Sequence, residues 1–213
     1  FYKWLGGLED EENEEKYTRL LRKERYKRPK GENYVIKPEE LPPEEEITKM
    51  VKVAGSSRNR CMIAMTYDLG TRPHELLSLN IGDVRHDEYG ATVTVCVSKT
   101  MKRTLRLIFS LPYLREWLED HPFKDNPEAP LFIGVGKNQF GERIEPQSLR
   151  WVIKQAAKRA GIERRVYTYL LRHASITREA CNGLADQQLK TFYGWTPDSR
   201  MLKVYSHITS EDV

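Results

Sequence analysis

From Ile47 onward the apolar residues fall at helical spacing. Ile47, Met50, Val51 and Ala54 share one face, and Gly55-Ser56-Ser57 closes the segment. Glu44, Glu45 and Glu46 stand before it, at the positive end of the helix dipole. A second helix is predicted with Cys61, Met62, Met65 and Leu69 near one face, ended by Gly70. Thr71-Arg72-Pro73-His74-Glu75 opens a third, short helix. Thr71 is the expected cap, Pro73 suits the first turn, and Leu76, Leu77 and Leu79 fill the buried side. The period then changes from helical to alternating. Val93, Val95 and Val97 line one face of 91–98, and Leu105, Leu107 and Phe109 line one face of 103–109. With Val84 these predict a small antiparallel sheet, its hairpin carrying Lys99-Thr100-Met101-Lys102. Asp83, His86, Asp87 and Glu88 are expected in a turn. A helix over 112–121, a short strand over 131–133 and a Gly-rich loop to Gly141 follow. Pro146 to Gly161 is amphipathic. Leu149, Val152, Ile153, Ala156, Ala157 and Ala160 face inward, and Arg150, Lys154, Lys158 and Arg159 face out. Further helices are predicted at about 168–181, 185–193 and 198–206. The fold class is therefore α+β, mainly helical, with one small antiparallel sheet.

The first 43 residues break this pattern. They are dense in charge, and Leu41-Pro42-Pro43 reads as a linker into the first helix. Residues 1–43 are expected to be a linker or the tail of a missing N-terminal module, or else an arm packed on the core, and 44–213 the main globular domain. A chain of 213 residues with 39% hydrophobic content is long enough for one sizeable core. The 35 Lys+Arg against 31 Asp+Glu give a net charge of +4, too small to announce nucleic acid without regard to position. Acids gather at 9–15 and 44–46, so the stretch from Lys99 to Tyr205 is the more basic. Three scattered cysteines without a C-x-x-C pair point away from zinc and disulfides, and toward a reducing cytoplasmic setting. No apolar run approaches the ~20 residues of a membrane span.

Several positions carry candidate chemistry. Arg72 stands in the first turn of a helix, good ground for an anion, or simply pairs with Glu75. Lys99, Lys102 and Arg103 make the hairpin basic, suited to phosphate backbones or to a solvated turn. Arg172 and His173 interrupt an apolar run of Leu170, Leu171, Ala174 and Ile176, and so need partners or a pocket. Tyr169 precedes Arg172 by about one helical turn. Gly194-Trp195 breaks the chain before Pro197, and Tyr205 follows among Arg200, Lys203 and His207. No P-loop, H-E-x-x-H or dinucleotide turn is present in the sequence.

In order, the motifs are G-T-R-P-H-E-L with Arg72, S-K-T with Lys99, Y-L-L-R-H with Arg172 and His173, G-W with Trp195, and V-Y with Tyr205. Together they resemble the tyrosine recombinases, of the phage and archaeal integrase type, across about residues 45–210. The resemblance implies a tyrosine-recombinase catalytic core. In it Arg72 and Arg172 clamp the scissile phosphate, and Lys99 is general acid toward the leaving 5′-hydroxyl. Tyr205 is the nucleophile forming a 3′-phosphotyrosyl bond, and Glu75 supports the site. His173 follows the second arginine as in the family, and Trp195 stands where the family has His or Trp. Where the family has His or Lys, this chain has Tyr169, a hydrogen-bond donor but a poor base near neutral pH. The proton of Tyr205 is left to His173 or water. Lys102, Arg103, Arg150 and Lys154 are expected on DNA.

The implied activity is site-specific recombination as an integrase of a mobile genetic element. It would need no cofactor, metal or ATP, and would act on double-stranded DNA as a homotetramer. A type IB topoisomerase, a non-catalytic DNA-binding module and a core disabled at Tyr169 are the alternatives.

Overall fold

The computed structural model describes residues 38–96, 102–199, 201 and 205. All of them fall in a single unit, Ile36–Val213. The predicted arm before residue 38, most of the 198–206 helix and the Lys99 hairpin tip lie outside the described residues.

A 3₁₀ turn, Pro38–Glu40, leads into helix α1, Glu44–Lys52, with its acids in the first turn and Ile47, Met50 and Val51 buried. The segment before α1 is fastened by Arg164, whose Nη1 donates to the carbonyls of Glu39 (3.2 Å) and Leu41 (2.9 Å). Helix α2, Ser57–Leu69, starts where the Ser56 side chain accepts the Asn59 N–H. Its sequence pattern marks one apolar face, yet Cys61 to Leu69 is buried all round, Thr66 and Asp68 included. A helix enclosed on every side loses its polar face because neighbours replace water. Helices α1, α4 (Leu111–Asp120), α5 (Pro146–Arg159) and α6 (Thr168–Cys181) pack around it. Thr66 satisfies its hydroxyl on the Met62 carbonyl at 2.6 Å.

Gly70 ends α2 at φ 52°, left-handed backbone that favours glycine. Space requires glycine as well, since a Cβ here would lie 2.5 Å from the Tyr193 ring and 2.7 Å from Ser175 Oγ. The chain then turns into α3, Pro73–Leu77, with Leu76 and Leu77 buried.

The sheet has strands β1 (Val84–Asp87), β2 (Gly90–Val95) and β3 (Arg103–Leu107), in antiparallel order β1-β2-β3. Val93 pairs with Val84 on one side and Leu105 on the other, so the valine and leucine faces coincide as predicted. The acidic stretch expected as a turn is mostly strand β1, closed onto β3 by the Asp87–Arg106 ion pair at 2.7 Å. Strand β3 stops two residues before the predicted Phe109. There the buried Asp68 of α2 accepts the N–H groups of Ile108 (2.9 Å) and Ser110 (3.0 Å), giving the backbone a partner other than a strand. The predicted strand at 131–133 forms only isolated bridges, such as Ile133 with Arg143, because its neighbours are loops. Phe132 and Ile133 are still fully buried. Helices α6 and α7 (Asp186–Tyr193) complete the fold. No helix among the described residues is long and apolar enough to cross a membrane.

Candidate active site

Arg72 occupies the N-cap of α3, the place predicted for Thr71. The reversal follows from Glu75. Its carboxylate reaches back to accept the Arg72 N–H at 2.9 Å, one half of a capping box. It also pairs with Arg72 Nη1 at 3.0 Å. Thr71 Oγ1 is buried with no hydrogen-bond partner among the described residues. Glu75 is fully buried, whereas the Arg72 side chain keeps 30% of its exposure.

Arg103 corrects the expected DNA contact. The first residue of β3, it shares the inward parity of Leu105 and Leu107, and its side chain is only 3% exposed. Its Nη2 pairs with Glu75 Oε2 at 2.9 Å, and its Nε donates to the Phe192 carbonyl at 2.9 Å. A guanidinium closed in this way cannot lie along a DNA backbone. The alternation of 103, 105 and 107 is the sequence signal for this inward position.

Helix α6 presents Arg172 to the interior beside Leu171 and Ser175. Arg172 donates to the carbonyls of Gly70 and Tyr193, the latter at 3.0 Å, and lies 5.4 Å from the centre of the Tyr193 ring. These carbonyls belong to the C-terminal ends of α2 and α7, where a cation meets favourable dipoles. Tyr193 itself is pinned to α6 by a 2.9 Å bond between its hydroxyl and Ser175 Oγ. Nothing in the sequence pattern singled out Tyr193 or Ser175.

Helix α7 ends at Gly194 in left-handed backbone, and the Trp195 N–H bonds back to the Lys190 carbonyl at 2.8 Å. That turn projects Trp195 onto Tyr205, with ring centres 6.1 Å apart and planes 18° apart. Tyr205 is 3% exposed, and its hydroxyl meets Nδ1 of His173. Arg103, Phe192 and Tyr193 link Arg72 and Glu75 to Arg172, and Tyr193 and Trp195 lead on to Tyr205 and His173, so these side chains form one cluster. Tyr169 makes no side-chain contact with it among the described residues; it is 47% exposed in the first turn of α6. Lys99 lies outside the described residues. Lys102 is exposed beside the hairpin. Arg150 and Lys154 are exposed on α5, where with Lys158, Arg165 and Tyr167 they line a groove of about 830 Å³.

Charge in the cluster is unevenly matched. Burial would raise the Glu75 carboxyl, but the Arg103 hydrogen bond, the Arg72 N–H and both guanidinium charges outweigh it and hold the pKa at about 2. Among the described residues, Arg172 has no carboxylate in contact. Burial, and then repulsion from Arg72, lower it to about 10. Burial and Arg172 lower His173 to about 4, so its ring is neutral at ordinary pH. Burial raises the Tyr205 phenol against the opposing pull of Arg172, so it is protonated. The result is a neutral imidazole facing a neutral phenol beside guanidinium groups short of negative charge.

A mainly helical domain with a three-stranded sheet, two buried-site arginines and a tyrosine stacked under Trp195 has the architecture of a tyrosine-recombinase catalytic core. The chain belongs to the phage integrase family, which its sequence matches over residues 42–212. It is 30% identical over 160 residues to tyrosine recombinase XerD of Oceanobacillus iheyensis, covering 72% of this chain and 51% of the relative. Tyrosine recombinase XerA of Pyrococcus horikoshii is 24% identical over 178 residues, covering 79% and 56%. The chain thus spans about half the length of the curated relatives it matches. Among solved structures, XerA recombinase superposes with a TM-score of 0.66 at 22% identity, covering 78% of this chain and 60% of that one. A lambda integrase tetramer bound to a Holliday junction gives 0.59 at 16%, covering 77% and 47%. These likenesses establish the fold.

Proposed function

We propose that the chain carries the catalytic domain of a site-specific DNA recombinase. The observation that carries this reading is the buried Tyr205 hydroxyl on His173, beside an Arg172 that touches no carboxylate among the described residues. A buried cation of this kind is unfavourable alone and favourable with an anion. A phosphodiester is the anion whose geometry matches planar guanidinium forks.

In the proposed reaction Tyr205 Oη attacks the scissile phosphorus, and its proton passes to His173 Nδ1. The P–O5′ bond breaks, and the leaving oxygen takes a proton from Lys99, the role the family resemblance gives that residue. Arg72 and Arg172 hold the non-bridging oxygens as negative charge moves across them. The phosphotyrosyl ester conserves the bond energy, so attack by a 5′-hydroxyl reverses the step without ATP. Exposed Lys102, Arg150 and Lys154 would meet the DNA backbone, Tyr169 would donate to a phosphate oxygen once DNA covers it, and two duplexes would be joined by a homotetramer. Cytoplasmic action on an element's DNA follows from the same reading.

The test is a duplex nicked just beyond the cleavage point, so that the released fragment diffuses away. The chain should become covalently attached, with the DNA mapped to Tyr205 by peptide mass. Salt-sensitive binding with no adduct would leave a DNA-binding module instead.

The neutral His173 also has a consequence for stability. Its pKa is lower in the folded chain than in the unfolded one. As pH falls from about 6.5 toward 4, the unfolded chain takes up the proton first, so stability falls, by up to about 3 kcal/mol. Denaturant midpoints near pH 7 and pH 4.5 should diverge less in His173→Asn than in the parent. Equal divergence would remove His173 as the cause.

A further inference from the structure

We propose that Arg103 is a positioning residue for strand cleavage, resting on the recombinase reading above. Its guanidinium, held between Glu75 and the end of α7, sets both Arg72 and the Trp195 turn for attack by Tyr205.

The contacts run in two directions. Toward α3, Nη2 lies 2.9 Å and Nη1 3.5 Å from the two oxygens of Glu75. Toward α7, Nε donates 2.9 Å to the Phe192 carbonyl, three residues before Trp195. The turn is built closely around this group, for a Cβ on Gly194 would come 2.7 Å from Arg103 Nη1. One planar fork therefore joins the helix bearing the first phosphate arginine to the turn bearing the wall of the nucleophile. Lysine, a single point charge, has no such two-sided geometry.

The effect on Arg72 is electrostatic. Glu75 accepts from Arg72 at both oxygens and from Arg103 at both oxygens. With Arg103 present, two guanidinium groups pair with one carboxylate while Arg172 stands near them without touching it, and positive charge is left over for a phosphate. Without it, Arg72 is the remaining counter-charge in contact with a buried carboxylate and is drawn inward. Stability alone is a weak reason for such a pair, because desolvation takes back much of the Coulomb gain. Gripping DNA is excluded by burial of the side chain.

The experiment measures single-turnover adduct formation on the nicked duplex at saturating DNA, alongside DNA affinity at several salt concentrations. Arg103→Met should slow adduct formation about a hundredfold, the scale of a catalytic group displaced by about an ångström. Affinity should stay within about threefold and the salt slope unchanged. Adding Glu75→Gln should slow Arg103→Met little further, since the two act as one unit. Arg103→Lys should recover part of the rate. If Arg103→Met melts below the assay temperature, Arg103→Lys decides: a tenfold or greater rate loss at unchanged affinity supports the assignment, and the parental rate overturns it. A parental rate in Arg103→Met overturns it too, as does lost affinity with a salt slope reduced by about one, the mark of a phosphate contact. A parent chain that forms no adduct instead removes the recombinase reading itself.

Discussion

Tyr205→Phe should form no covalent adduct with the nicked duplex, yet bind it within about twofold of the parent, when the two are compared by adduct gel and DNA titration. The phenyl ring keeps its stack on Trp195, which depends on ring area and not on the hydroxyl. What is lost is the oxygen and its contact with His173 Nδ1. A hydrogen bond of this kind contributes about 1 kcal/mol net, so the melting temperature should move by a few degrees at most. The chemical loss is expected to be complete because, among the described residues, no second nucleophile lies in that place. Tyr193, the other buried tyrosine in the cluster, is turned away onto Ser175. An adduct surviving in Tyr205→Phe would show that another residue attacks and would end the assignment.

Arg172→Met carries the second large effect, and it separates activity from stability. Methionine fills much of the same volume without charge. Adduct formation should fall by about 10³–10⁵, the range found when a guanidinium that stabilises a phosphoryl transition state is removed. Stability should change far less, by about 1–2 kcal/mol in either direction. Burial of this cation opposes folding, as its lowered pKa records. The bonds to Gly70 and Tyr193 favour folding, and the two effects largely cancel. Inorganic phosphate should raise the melting temperature of the parent and not of the variant, because the anion completes the site only where the cation remains. A variant that cleaves within tenfold of the parent, or that unfolds outright, would contradict this account.

Much of the fold was legible. Apolar spacing located α1, α2 and α5, and alternation located β2 and β3, because those periods follow from backbone geometry alone. The ends were less legible. Asp68 stops β3 from a distance of about forty positions, a partner that local pattern does not contain. At the site, the order of motifs named Arg72, Arg172, His173, Trp195 and Tyr205, and the fold joins them. It also reassigns Arg103 from the DNA face to the interior, and leaves Tyr169 exposed.

What the sequence determined was the inventory: which groups can attack, donate or hold a phosphate, and which helices and strands carry them. Only the tertiary structure decided their states. Whether a guanidinium is neutralised, a histidine uncharged or a phenol protonated depends on water excluded and charges brought near by segments far apart in the chain, and neither is written in local spacing.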